Sequence, residues 1–155
     1  MSDIQNILVK AAYLRGSFIN DTILLERVID EFICRHFCSE ENKKVELLES
    51  LMSTKRITFD SKLAVAKFII DNHYPEFDEK YPNYKKDITD IITHRNVFAH
   101  FLLDTSDDGV EKMKLGGIQF LKFEKKTIPV LYDDLQIKEI DKKIRMYVNA
   151  FGDMQ

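Results

Sequence analysis

The chain has 155 residues, 45% of them hydrophobic and 32% charged, enough apolar material for one ordinary domain whose core needs neither disulfides nor metal. A formal charge of -3 and a pI near 5.8 argue against a protein that coats nucleic acid by bulk electrostatics, so any RNA contact must come from a few placed cations. No apolar run approaches the ~18 residues of a membrane span, and Met1-Ser2-Asp3-Ile4-Gln5-Asn6 does not read as a signal peptide, so a cytoplasmic protein with no membrane partner is expected.

Ile4, Ile7, Leu8, Ala11 and Leu14 make a helical stripe over residues 3–15. Gly16-Ser17 and Asn20-Asp21 weaken it, as a break or a kink, before Leu25, Val28, Ile29, Phe32, Ile33 and Phe37 restore it as a core helix over residues 18–37. Glu26, Arg27, Asp30, Glu31 and Arg35 on the polar side of that helix read first as solvated salt bridges, with Arg27 and Glu31 spaced to pair; in the alternative reading Glu26 or Asp30 holds Arg95 from a later helix. Cys34 and Cys38 are poorly set for a disulfide, and with His36 they cannot complete a tetrahedral set. They read as small half-buried side chains, and no metal is expected.

A shorter helix over residues 41–53 carries Val45, Leu48, Leu51 and Met52. Another, over residues 60–72, buries Leu63, Ala66, Ile69 and Ile70, with Asp60 or Ser61 as its cap. A loop from His73-Tyr74-Pro75 to Pro82 leads into a strong helical pattern over residues 83–103, built on Tyr84, Ile88, Ile91, Ile92, Arg95, Phe98, Ala99 and Leu102. Its acids Asp87 and Asp90 come early and its cations Arg95 and His100 late, an order that suits the helix dipole.

After a polar turn over residues 105–109 the period changes, and residues 117–123 and 127–132 read as a β-hairpin with Pro129 keeping its second strand at an edge. Residues 112–115 are a candidate third strand. Asp133 or Asp134 caps a last helix with Ile137, Ile140, Ile144, Tyr147, Val148 and Phe151 on its apolar face. The expected fold is mainly all-α, an up-down bundle of about five to six helices. Its helical bundle covers residues 3–103, the β-hairpin residues 112–132 and the C-terminal helix residues 134–151, in a single domain over residues 1–155.

The chemistry concentrates in Arg95-Asn96-Val97-Phe98-Ala99-His100. Asn96 and His100 lie one helical turn apart, where an amide can orient an imidazole, and Arg95 is offset from His100 by about 140° on a stem long enough to reach the same patch. A guanidinium grips phosphate oxygens bidentately and an imidazole exchanges protons near neutrality, so the set suits a phosphodiester. From spacing alone, an Arg and a His at the end of an apolar helix read first as surface or interface residues, because such short patterns arise by chance. His94, Lys85 and Lys86 are candidate RNA contacts, with Lys122, Lys125 and Lys126 behind them. His36 and His73 read as scattered singles. There is no Gly-rich phosphate loop, Cys-x-x-Cys, His-Glu-x-x-His or Gly-x-Ser-x-Gly turn to compete.

Arg, a polar residue, three more positions, then His with Ala just before it resembles the signature of the HEPN superfamily, small helical domains found in many prokaryotic ribonucleases and toxins. Ile57-Thr58-Phe59-Asp60-Ser61-Lys62-Leu63-Ala64-Val65-Ala66 is similar to the helix that often precedes that signature, including in relatives of the mannitol operon repressor. The likeness covers about residues 18–103. It implies an endoribonuclease without metal or cofactor, in which the RNA 2′-hydroxyl attacks its own phosphate and leaves a 2′,3′-cyclic phosphate and a 5′-hydroxyl. In that reading His100 is the acid and base, Arg95 binds and stabilises the phosphate, and Asn96 orients the pair. The resemblance further implies a homodimer sharing one site, an RNA substrate, a toxin or defence role and a nucleotidyltransferase-like antitoxin as partner. Two other classes stay open: a non-catalytic regulatory or protein-interaction module, and an accessory domain that binds a phosphate or nucleotide without cleaving it.

Overall fold

The computed structural model describes residues 3–154; Met1, Ser2 and Gln155, the ends of the expected domain, lie outside the described residues. The fold is mainly α, with an antiparallel hairpin before the last helix, as the sequence pattern requires. No described helix is long and apolar enough to cross a membrane.

Helix α1 (Asp3–Phe37) runs unbroken through Gly16 and Asn20, where the sequence suggests a break or kink. A glycine within a helix costs about 1 kcal/mol relative to alanine. The burial of Ile7, Ala11 and Phe18 on either side of it returns more. Helix α2 (Glu41–Leu47) passes into a π-helical turn, Leu48–Met52, whose two ends are buried, and Ser53 N–H closes it on Leu48 O at 2.9 Å. Helix α3 (Phe59–His73) is capped by Thr58, two residues before Asp60: with extended backbone, it accepts from Ser61 N–H at 3.2 Å. The expected loop that follows holds a short helix, α4 (Pro75–Lys80), because Pro75 occupies the first helical position, where its missing N–H costs nothing, and Phe77 is buried.

Helix α5 (Tyr84–His100) ends at His100, three residues before the pattern predicts. Leu102–Leu103 leave it as strand β1, paired antiparallel with Leu121 and Phe120 of β2 (Ile118–Phe123), which pairs in turn with β3 (Thr127–Tyr132) in the order β1-β2-β3. Pro129 accordingly lies on an edge strand. The candidate strand over residues 112–115 is instead the end of a helix, α6 (Asp107–Lys114), so the third strand comes from the other side of the polar turn. That turn is a cap: Ser106 Oγ accepts from Gly109 N–H at 3.3 Å, with Asp107 and Asp108 in the first helical turn. Gly109 is obligatory, since a Cβ there would lie 2.4 Å from Asp104 O. Gly116, at φ 101°, turns the chain back into β2. Asp133 caps α7 (Asp134–Gly152) reciprocally: its carboxylate accepts from Gln136 N–H at 2.7 Å and its own N–H donates to Gln136 Oε1 at 3.0 Å.

The chain groups into two compact units, Met1–Asp21 with Thr93–Lys142, and Thr22–Ile92 with Lys143–Gln155. The first holds the sheet, α6 and the motif turn. Its centre is aromatic: Phe98 stacks on Phe18 at 4.5 Å between centroids and meets Phe120 and Tyr132 edge-on, each at 5.0 Å. On the other face of β2, Gln119 donates to buried Asp104 at 2.7 Å and to Asp108 at 3.0 Å. Burial works against the Asp104 charge, but the bonds from Gln119 and Ser106 hold its carboxyl below its ordinary value.

The second unit is built on Leu25, Ile29, Phe32, Ile69, Ile70, Ile88 and Phe151, all buried. Asp87 accepts from Lys143 at 2.8 Å and from Tyr147 at 2.6 Å. The expected Arg27–Glu31 pair forms at 3.0 Å. Glu26 and Asp30 do not hold Arg95; they face α3 and clasp Lys62, at 2.6 and 2.9 Å. Buried Cys34 and half-buried Cys38 are free. His36 and His73, read as singles, are neighbours with ring centroids 4.7 Å apart, and burial followed by the second imidazole lowers the His36 pKa.

Candidate functional site

The last two turns of α5 carry the motif, and the helix periodicity sorts its residues by direction. His94 and Phe98 turn to the sheet. Half-buried His94 shares a hydrogen bond of 3.0 Å between its Nδ1 and Tyr132 Oη, with the rings edge-on at 5.4 Å. Burial pushes the Tyr132 hydroxyl up to about 12, so it stays protonated. His94, a candidate RNA contact, is thus engaged with β3.

His100 lies two residues beyond Phe98, roughly 200° around the helix, and is exposed together with Asn96. Arg95 is half-buried between the two directions. Its Nη1 donates to Asn96 Oδ1 at 3.3 Å. The amide therefore steadies the guanidinium of its neighbour and not the imidazole one turn on, for which the sequence argument cast it. His100 makes no hydrogen bond or ion pair among the described residues, and its ring is open to solvent. The patch offers a held cation and an unencumbered proton carrier.

Lys85 and Lys86 are not part of it. They sit on the first turn of α5, Lys85 being roughly 15 Å along the helix axis from Arg95. The Lys85 ammonium is drawn to Asp71 at 3.1 Å and Asp78 at 3.6 Å, while Lys86 is exposed. Lys122 is paired with Glu124 at 2.5 Å. No three His, Cys, Asp or Glu side chains converge as a metal-binding group among the described residues.

Arg15 is the residue that sequence reasoning missed. From α1 it donates through Nη2 to Phe101 O at 2.6 Å, one residue past His100, while its guanidinium lies over the Phe120 ring, 4.8 Å from the centroid. It thus closes the C-terminal end of α5, where carbonyls lack helical partners. Burial pulls its pKa below the ordinary arginine value, and its Nε has no partner. The signal was present: a charged residue four after Ala11 and three before Phe18 stands on the buried stripe. Arg15→Ala is expected to cost about 1–3 kcal/mol by leaving the Phe101 carbonyl unpaired, read as a lowered urea midpoint at unchanged slope. No loss of midpoint would mean that the carbonyl finds water.

No family model, curated protein or solved structure matches this chain. The likeness to HEPN domains therefore rests on the residues themselves.

Proposed function

We propose that this chain is a metal-independent endoribonuclease of the HEPN kind, acting as a homodimer with one shared site. The observation that carries the reading is His100, exposed and unpaired on the last turn of α5, with Arg95 held by Asn96 on the preceding turn. The reaction needs a base for the 2′ proton, an acid for the departing 5′ oxygen and a cation for the crowded phosphorane. One His100 removes the proton as the 2′-oxygen bonds to phosphorus. The second, from the other copy, protonates the 5′-oxygen as its bond to phosphorus breaks. Arg95 neutralises the phosphate oxygens in between. A toxin or defence role, with a nucleotidyltransferase-like antitoxin, belongs to the same proposal.

Incubating end-labelled structured RNA in EDTA with wild type, His100→Ala and Arg95→Ala tests it. Wild type is expected to leave 2′,3′-cyclic phosphate ends, and His100→Ala to cut about 10²–10⁴-fold more slowly. Both variants should fold normally, since His100 is exposed and, among the described residues, the Arg95 side chain bonds only to its neighbour. Equal behaviour of the three proteins would reject the enzyme. The commitment of Lys85 to acids, in a chain of net charge -3, favours as second reading a module that holds phosphate without cleaving it. Retained RNA with no new ends would establish that reading.

A further inference from the structure

Two imidazoles that read as singles in the sequence meet in the second unit. His36 stands on the last turn of α1 and His73 on the last turn of α3, with ring centroids 4.7 Å apart at an interplanar angle of 49°. Phe37 packs edge-on against His36 from the same turn, its centroid 4.9 Å away. His36 is half-buried and His73 exposed, so solvent reaches the pair. Neither imidazole has a hydrogen bond or ion pair among the described residues, which leaves both sets of nitrogen lone pairs uncommitted.

Distance decides what the pair can hold. Imidazoles bound to one ion through nitrogens at about 2.0–2.1 Å, with an angle of roughly 90–109° between the bonds, have centroids about 4.5–5.2 Å apart. The observed separation lies inside that range, so rotation of two solvent-accessible side chains is enough to aim a nitrogen of each at one point. The backbone favours a cation there. A helix C-terminus carries about half an elementary negative charge on carbonyls without helical partners, and two such ends converge on this pair. Arg35, on the same turn as His36, is directed elsewhere, its Nη2 donating to Phe151 O at 3.4 Å.

We infer that His36 and His73 form a two-histidine site for a divalent transition metal, Zn²⁺, Ni²⁺ or Cu²⁺, which clips the C-terminal ends of α1 and α3 together. Imidazole suits these ions, whereas Mg²⁺ and Ca²⁺ prefer oxygen. No Cys, Asp or Glu joins the pair as a third ligand among the described residues, so water fills the remaining positions. The two ligands are far apart in the chain, and the ion therefore binds the folded protein in preference to the unfolded one and stabilises it. Helical spacing could not show the site, because each helix contributes a single histidine. It lies in the second unit and does not depend on the ribonuclease reading.

Calorimetric titration of the chelator-treated, dialysed protein with Zn²⁺, and with Mg²⁺ as control, tests the inference. Wild type should take up one Zn²⁺ per chain and no Mg²⁺, and Zn²⁺ should raise its urea midpoint. His36→Gln and His73→Gln should each weaken binding at least as much as loss of a supporting outer partner does, about 10–100-fold, and should abolish the rise in midpoint. Both substitutions keep a polar side chain at a solvent-accessible helix end, and circular dichroism checks their fold. Cu²⁺ bound to wild type gives a readout that needs no variant: its electron paramagnetic resonance spectrum should show coupling to two imidazole nitrogens. A wild type that takes up no Zn²⁺, or a Cu²⁺ spectrum with a single nitrogen, overturns the site. Binding that survives either substitution overturns it as well, and marks an adventitious ion only.

Discussion

Replacing Lys62 by methionine is expected to lower the unfolding free energy by about 3–5 kcal/mol at neutral pH, the cost of leaving buried charge uncompensated. The ammonium is 4% exposed and lies 2.9 Å from Asp30, itself 5% exposed, and 2.6 Å from the more accessible Glu26. Burial pulls the Lys62 pKa down, but the bonds to Glu26 and Asp30 outweigh it and hold the amine above its ordinary value. For Asp30 burial prevails over the pull of Lys62 and raises the carboxyl, one oxygen of which has no partner. Both charges are poised on each other.

The pH dependence separates lost charge from lost packing. A group whose folded pKa is raised contributes its full stability below the unfolded pKa and loses it as pH rises through the folded value. In wild type the Lys62 contribution is therefore intact at neutral pH and fades only in strongly alkaline solution. In Lys62→Met, Asp30 loses the partner that opposed burial, so its pKa rises further and the deficit grows through the weakly acid range. Urea titrations should show the gap between the proteins widest near pH 7 and narrowing toward about pH 4, the ordinary carboxylate pKa. Adding Asp30→Leu to Lys62→Met should recover most of the loss, because the fully buried carboxylate is gone and the remaining Glu26 is partly in water. A deficit independent of pH would show that the lysine stem, not its charge, is what matters.

Lys62 also marks where the sequence stopped being informative. Its place on α3 was readable from the stripe Leu63, Ala66, Ile69 and Ile70, but which acids it meets depends on how α1 lies against α3, and periodicity within a helix carries nothing about its neighbour. The same blindness read Glu26 and Asp30 as a solvated face, with Arg95 as their alternative partner. Asn96 failed for a subtler reason: helical spacing made a bond to His100 available, yet the adjacent guanidinium, charged and richer in donors, took the amide oxygen. Local chemistry was legible where residues close on themselves, as in the Asp133 and Gln136 cap, the Arg27–Glu31 pair and the hairpin. It misled at residues 105–115, where polar residues and a glycine look like a loop but build the cap and first turn of α6. That Arg95, Asn96 and His100 share one helix was legible because the apolar period runs through them, and the end of that helix at His100 was not, because Arg15 meets the Phe101 carbonyl from far away in the chain.

Phe98→Ala is expected to cost about 3–5 kcal/mol, a large share of the roughly 5–15 kcal/mol that holds a domain folded. The ring is 1% exposed and sits among Phe18, Phe120 and Tyr132, so truncation opens a cavity walled by rigid aromatics that cannot close over it. Phe98→Leu keeps much of the volume but forfeits three ring contacts, so its cost should fall clearly below that of alanine, nearer the about 1.5 kcal/mol typical of well-matched swaps. The loss should also be local. Phe98 is the last buried residue of α5 before His100, and Phe101 N–H bonds to Val97 O at 3.0 Å just beyond it. Amide exchange at Phe101 should accelerate about tenfold for each 1.4 kcal/mol of lost anchoring, while Leu25 and Ile29, deep in the other unit, slow exchange until global unfolding. If Phe98→Ala costs under about 1 kcal/mol, or if exchange rises uniformly along the chain, the aromatic cluster is not what fixes the motif turn. Arg15 would then be its remaining restraint, and combining Arg15→Ala with Phe98→Ala would add nothing beyond Arg15→Ala alone.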